Sequence, residues 1–212
     1  MTEKKTSILL VDDHEVVRNG IRLMLSTTSG LVVTGEASNS QEALRLIREQ
    51  DFDVAIVDLG LPDKTGLELL KRMLAEKPRI AVLIFSMYAE EIYGIRAFKL
   101  GASGFLSKNS DVETVVEAVN KVATGGKFIS AAMSDKLVKV FRGEKPVQHD
   151  TLTNRELEVL RMLAAGEPLI KIAANLNLSA STITTYRSRI LVKTGLKNNV
   201  QLARYAADCN LV

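Results

Sequence analysis

Cysteine is nearly absent from this chain of 212 residues: Cys209 is the only one. A single thiol excludes an internal disulfide and a cysteine-rich zinc site, and it suits a reducing compartment. Cys209 itself reads as a small buried apolar residue near the end of the last helix. Long hydrophobic runs are missing too, although 46% of the residues are hydrophobic. No stretch approaches the roughly 18 apolar residues that a membrane-spanning helix needs. The amino terminus passes from charges straight into a strand pattern with no cleavage site, so a cytoplasmic location is expected, with no membrane partner. No dinucleotide fingerprint follows the first strand, which argues against a dehydrogenase, and there is neither an internal repeat nor a low-complexity tract.

The formal net charge of +3 is small, but it is unevenly distributed. Residues 1–128 carry 16 Lys or Arg against 18 acids, whereas residues 151–212 carry 8 against 4. A mildly acidic first part joined to a basic second part suggests that the second meets a polyanion, although the excess is modest. The length suits two ordinary domains, each with its own core. Expected boundaries are a first domain over 1–128, a helix and linker over 129–150, and a second domain over 151–212.

The first domain is organised around Val54 to Gly66. Val54, Ala55, Ile56 and Val57 form a short apolar run of the kind that makes a strand buried on both faces. Asp58 follows at its carboxyl end, where open α/β sheets bind ligands. Three other strand patterns end similarly: Ser7 to Val11 runs into Asp12 and Asp13, Ile80 to Phe85 into Ser86, and Ser103 to Leu106 toward Lys108. If these strands are parallel, one crevice collects three carboxylates, a hydroxyl and an ammonium. Three carboxylates at close range need a cation among them, and oxygen ligands with room for water suit Mg²⁺. Lys108 then pairs with the negative charge, Ser86 donates to a phosphoryl oxygen, and Asp58 is the nucleophile that forms an aspartyl phosphate. An Asp that merely caps the following turn is the bland alternative. His14 reads as a helix-start residue near the pocket rim rather than a metal ligand, because Mg²⁺ prefers oxygen.

DDH at 12–14, DLGLP at 58–62 followed by Gly66, Ser86, and GFLSK at 104–108 resemble the receiver domain of two-component response regulators over residues 7 to about 125. The resemblance implies a five-stranded, flavodoxin-like sheet, Mg²⁺ at Asp12, Asp13 and Asp58, and phosphorylation of Asp58 by a sensor histidine kinase. Phe105 falls at the family's switch aromatic and Ser86 at its switch hydroxyl. A phenylalanine has no phenol to keep in water, so the inward state of Phe105 is expected even without phosphate. Met87 departs from the small residue that the family often places after the hydroxyl, and it is expected to hinder access to Asp58. Gly60 leaves the other side uncovered.

Helical patterns alternate with the strands. Val17, Ile21 and Leu25 give the first, followed by a strand over Leu31–Ala37 and further helices through Ala43, Leu67, Ile92 and Val112. The pattern breaks at Gly125 and Gly126. Residues 130–141 are expected to form one more helix, with Met133 among its apolar positions, and residues 142–150 a linker in which His149 is solvated. In the second part, Thr153 and Glu156 form a capping box ahead of Leu157 and Leu160. Gly166 ends that helix, and Pro168 suits the first turn of the next. Asn177 makes a turn, Ser179 caps, and a longer helix runs from about Ala180 to Thr194. Ile183, Ile190 and Tyr186 face inward, and Thr184, Thr185, Ser188, Arg189 and Val192 form an outer stripe with Arg187 and Lys193 beside it. Two helices joined by a tight turn describe a helix-turn-helix.

A solvated helix face and a DNA-reading one fit that stripe about equally. LTNRELEVL at 152–160 and SASTI at 179–183 resemble the LuxR-type helix-turn-helix, which favours DNA. The whole chain resembles the NarL/FixJ response regulators: an α/β, doubly wound, five-stranded parallel receiver with a smaller all-α domain. The resemblance implies a transcription regulator that dimerises through its last helix, here about Asn198 to Asp208, on a face with Val200, Ala203 and Ala207. Ser179, Thr182, Thr184, Thr185, Ser188, Arg189 and Lys193 are the candidate contacts to promoter DNA, with Arg189 suited to bidentate readout of guanine. RNA polymerase is a further candidate partner. Thr184 and Ser188 replace frequent lysines, so affinity is expected to depend on dimerisation and to vary weakly with salt. Two rivals stand beside this reading: an enzyme working through an aspartyl phosphate, which lacks a second acid at Gly60, and a module whose receiver only dimerises.

Overall fold

In the computed structural model, residues 5–130, 133–134, 148–209 and 211–212 are described. The chain divides into two compact units, Met1–Val138 and Lys139–Val212, with the division inside the expected 129–150 segment.

The first unit alternates strand and helix: β1 (Thr6–Val11), α1 (Glu15–Ser26), β2 (Leu31–Ala37), α2 (Ser40–Glu49), β3 (Val54–Val57), α3 (Gly66–Glu76), β4 (Ala81–Ser86), α4 (Glu90–Lys99), β5 (Gly104–Ser107) and α5 (Val112–Ala123). The strands form one parallel sheet in the order β2-β1-β3-β4-β5. Parallel strands need crossovers, and the amphipathic helices supply them while covering both faces. Ile8, Leu10, Val54, Ile56, Leu83, Phe85 and Leu106 pack with Ile21 and Leu25 of α1 and Val115, Val119 and Val122 of α5. The alternate residues of the same strands, Leu9, Ala55, Val57, Ile84 and Phe105, are equally buried and point to the other face. Every residue of β3 is buried, as an apolar run without alternation requires of a central strand. Asn39, Thr65 and Asp111 each cap a helix by accepting a backbone N–H from the third residue on.

The second unit is helical: a 3-10 turn (Gln148–Thr151), then α6 (Asn154–Ala164), α7 (Leu169–Asn175), α8 (Ala180–Thr194) and α9 (Asn199–Asp208). The Thr153–Glu156 capping box is present in both directions. Pro168 occupies the N-cap of α7 rather than its first turn. Asn177 takes a left-handed φ of 52°, which turns the chain from α7 toward α8. Leu157, Leu160, Ile172, Ile183, Ile190, Leu202 and Ala206 are buried, which places one side of every helix in this unit's core.

Two expectations are corrected. His149 is not solvated: it is 8% exposed, its Nδ1 lies 2.9 Å from the Tyr205 hydroxyl, and its backbone N–H donates to the same oxygen at 3.2 Å. The 3-10 turn folds it onto α9, and its partner stands 56 residues away, beyond the reach of any local pattern. Cys209 is the half-buried C-cap of α9 rather than a core residue. Most of the helix expected over 130–141, and of the linker after it, lies outside the described residues. Within that stretch Met133 and Ser134 are helical.

Candidate functional site

Four of the five strands, β1, β3, β4 and β5, each deliver one side chain to the same end of the sheet. The β1–β2 ladder continues to Asp12, whose N–H donates to Ala37 O at 3.1 Å, and Asp58 N–H donates to Val11 O at 2.8 Å. Ser86 is the last residue of β4, and Lys108 N–H donates to its carbonyl at 3.0 Å. Backbone pairing of the core strands therefore sets where these four side chains stand. The turn after Asp58 is held from behind, because Gly66 opens α3 so close to the Asp58 carbonyl that a Cβ there would collide with it.

Lys108 Nζ lies 2.6 Å from Asp12 Oδ2 and 3.0 Å from Asp58 Oδ2, and all three side chains are at most 11% exposed. Burial disfavours the ammonium, but the hydrogen bonds and charges of Asp12 and Asp58 outweigh it and hold its pKa above the ordinary lysine value. Asp58 Oδ1 accepts from the Leu59 N–H at 2.7 Å. Asp13 stands at the rim, 2.7 Å from Nδ1 of the exposed His14, which precedes α1 as its N-cap. Asp12, Asp13 and His14 offer donor atoms within 4.8 Å of one another. The expected trio of Asp12, Asp13 and Asp58 thus stands as Asp12 and Asp58 joined by Lys108, with Asp13 turned to His14. Two buried carboxylates on one ammonium, with the Asp13 carboxylate beside them at the rim, make an oxygen-rich donor set with excess negative charge, which fits a hard divalent cation.

Ser86 is 2% exposed and its Oγ accepts from the Tyr88 N–H at 3.3 Å. Phe105, at the position of the switch aromatic, is 1% exposed. Met87 does not cover Asp58: its side chain is in solvent, at 63% exposure. Tyr88 takes that place. The open side of Gly60 looks onto Asp58 Oδ2 and the Tyr88 hydroxyl, and Tyr88 stacks on Tyr93 of α4 with ring centroids 5.1 Å apart. In the sequence Tyr88 is marked only as an aromatic two residues after the hydroxyl.

In the second unit Ser179 caps α8 by accepting from the Thr182 N–H. Thr184, Thr185 and Ser188 are exposed, and their hydroxyls donate to carbonyls one turn earlier at 3.0, 3.0 and 3.1 Å. Thr182 is half-buried against the cap, and Val192, at 81% exposure, extends the outer stripe. The cations differ. Arg187 Nε donates to Asn199 Oδ1 at 2.6 Å, and Lys193 Nζ lies 2.6 Å from Oε2 of the buried Glu156. Arg189 is exposed and has no side-chain partner among the described residues. Burial pushes the Glu156 carboxyl up, but Lys193 and Thr153 outweigh it, and its pKa lies below the ordinary glutamate value. Val200 is 79% exposed on α9 and Ala207 is exposed, while Ala203 is half-buried and Leu202 and Ala206 turn inward.

No helix among the described residues is long and apolar enough to cross a membrane. Residues 8–120 match the response regulator receiver domain family, and residues 150–206 match the luxR family of bacterial regulatory proteins. The response regulator GacA of Pseudomonas aeruginosa is 34% identical over 209 residues, covering 97% of each chain. The response regulator UvrY of Escherichia coli is 30% identical over 204 residues, covering 94% of this chain and 93% of its own. Among solved structures, RcsB from Salmonella enterica serovar Typhimurium, bound to a promoter in the presence of a phosphomimetic, is similar with a TM-score of 0.70 and 25% identity, over 96% of this chain and 99% of its own. With both of its units matched and relatives aligned over nearly its full length, the chain belongs to the NarL/FixJ family of response regulators, DNA-binding regulators of transcription rather than enzymes.

Proposed function

We propose that Asp58 is the phosphoacceptor of this response regulator, that a sensor histidine kinase supplies the phosphoryl group, and that its arrival controls dimerisation and promoter binding by α8. The observation that carries the reading is the Lys108 ammonium bridging the buried carboxylates of Asp12 and Asp58. In the transfer, a carboxylate oxygen of Asp58 forms the new P–O bond while the phosphorus–nitrogen bond of the donor histidine breaks. Lys108 neutralises the charge that arrives, and the Ser86 hydroxyl turns from the Tyr88 N–H to donate to a phosphoryl oxygen. Asp12, Asp13 and Asp58 would hold Mg²⁺, which when bound shields the carboxylates from the incoming phosphate. Residues 1–128 act as the receiver and 151–212 as the DNA reader, joined by 129–150. The exposed α9 face with Val200 and Ala207 pairs two copies over half-sites about one helical turn apart, and the dimer acts on transcription at RNA polymerase.

The test is retention of fragmented genomic DNA by the full chain, with and without Mg²⁺ and acetyl phosphate. Enrichment of a shared set of sites that needs the donor, and is lost in Asp58→Ala, is expected. Equal enrichment with and without donor would leave a DNA reader whose receiver only dimerises.

A further inference from the structure

The outer face of α8 is short of hydrogen-bond donors. Thr184, Thr185 and Ser188 are exposed on it, and each directs its hydroxyl hydrogen into the helix, onto the carbonyls of Ala180, Ser181 and Thr184 at 3.0, 3.0 and 3.1 Å. A hydroxyl has one hydrogen and two lone pairs, so these three residues present acceptor oxygens to an outside partner, together with the methyl groups of the two threonines. Val192, one turn beyond Ser188 and 81% exposed, adds apolar surface to the same stripe. Two of the three cations of the helix are engaged, Arg187 with Asn199 and Lys193 with Glu156. Arg189 is the one with no side-chain partner among the described residues.

The two kinds of base pair answer this face differently. In the major groove an A·T pair offers a donor, the adenine amino group, and the thymine methyl. A G·C pair offers the acceptors N7 and O6 of guanine beside the cytosine amino group, and no methyl. Acceptor oxygens and methyl groups therefore match the A·T edge. Against guanine they set lone pairs on lone pairs, and a hydroxyl can donate there only by breaking its bond within the helix. That mismatch is the repulsive element on which discrimination depends.

We propose that α8 selects half-sites of A·T pairs around a single guanine. The oxygens of Thr184, Thr185 and Ser188 accept from adenine amino groups, the threonine methyls and Val192 pack on thymine methyls, and Arg189 donates to the one guanine. The proposal rests on the reading of α8 as the promoter-binding helix given above.

The test selects duplexes from a randomised pool with the full chain, in the presence and absence of Mg²⁺ and acetyl phosphate, and then measures affinity for the selected duplex with single base changes. The recovered half-site is expected to hold one guanine that Arg189→Ala no longer requires, flanked by A·T pairs. Replacing one of those pairs by G·C lowers affinity about tenfold. Replacing a contacted thymine by deoxyuridine, which removes only the methyl, lowers it about fourfold, and in Val192→Ala that loss disappears at one position. Thr185→Val keeps a methyl and removes the oxygen, so the G·C penalty at its position falls to about fourfold, the share of the methyl. A recovered half-site made mostly of G·C, or an A·T half-site indifferent to deoxyuridine or to Thr185→Val, overturns the base preference and leaves α8 a DNA reader. Enrichment of no sequence in either condition overturns the reading of α8, and the preference with it.

Discussion

Lys108 is the residue on which the site's electrostatics turn. With Asp12 and Asp58 both buried against it, Lys108→Met leaves two carboxylates facing each other without a cation. We expect the first unit to lose about 2–4 kcal/mol in urea unfolding, with part of the loss restored by millimolar Mg²⁺. Tyr88 acts at longer range. Its hydroxyl stands over the open side of Gly60, so Tyr88→Ala admits water to the aspartyl phosphate. A barrier lower by roughly 1 kcal/mol shortens the phosphoryl lifetime about fivefold, measurable by loss of label after donor removal. An unchanged lifetime would leave Tyr88 as a stacking partner of Tyr93 only. Lys108's double pairing has no local sequence signal, since Asp12 and Asp58 come from different strands, and Tyr88's placement had only its position two residues after Ser86.

Among the elements, α8 carries the most informative contrast. Its three cations are not equivalent: Arg187 is tied to Asn199, Lys193 to Glu156, and Arg189 is exposed. Arg189→Ala is therefore expected to cost about 1–3 kcal/mol of binding and to relax base preference at one position, measured by selection from a randomised duplex pool. Arg187→Ala is expected to act mainly on stability. The Glu156–Lys193 pair joins the start of α6 to the end of α8. Because the folded Glu156 pKa lies below its ordinary value of 4.5, its contribution is present above that pH and is lost as pH falls through the folded value. Glu156→Gln should thus lower stability by about 1–3 kcal/mol near neutrality, a deficit that shrinks in thermal melts taken below that window. A deficit independent of pH would assign the effect to packing.

For the whole molecule, two units with their own cores share one chain, and the charge is divided between them. With few unengaged cations on α8, the proposed pairing of two copies on adjacent half-sites is expected to supply what one lacks. A fragment of residues 145–212 held monomeric is expected to bind promoter DNA weakly, with a shallow slope of log affinity against log salt. Tight binding by that monomer would refute the dependence on dimerisation. The sequence by itself marked the four strands β1, β3, β4 and β5 as short apolar runs bounded by polar residues, and it determined which acids, hydroxyl and lysine end them. It also determined the capping box and the two-helix turn, because caps and turns are local chemistry. Only the tertiary structure decided what touches across distance. Lys108 bridges Asp12 and Asp58 while Asp13 turns to His14, Met87 points to solvent and Tyr88 replaces it, and His149 is buried on Tyr205. Those pairings join residues far apart in the chain, or depend on which way a side chain leaves a loop, and neither is encoded in periodicity.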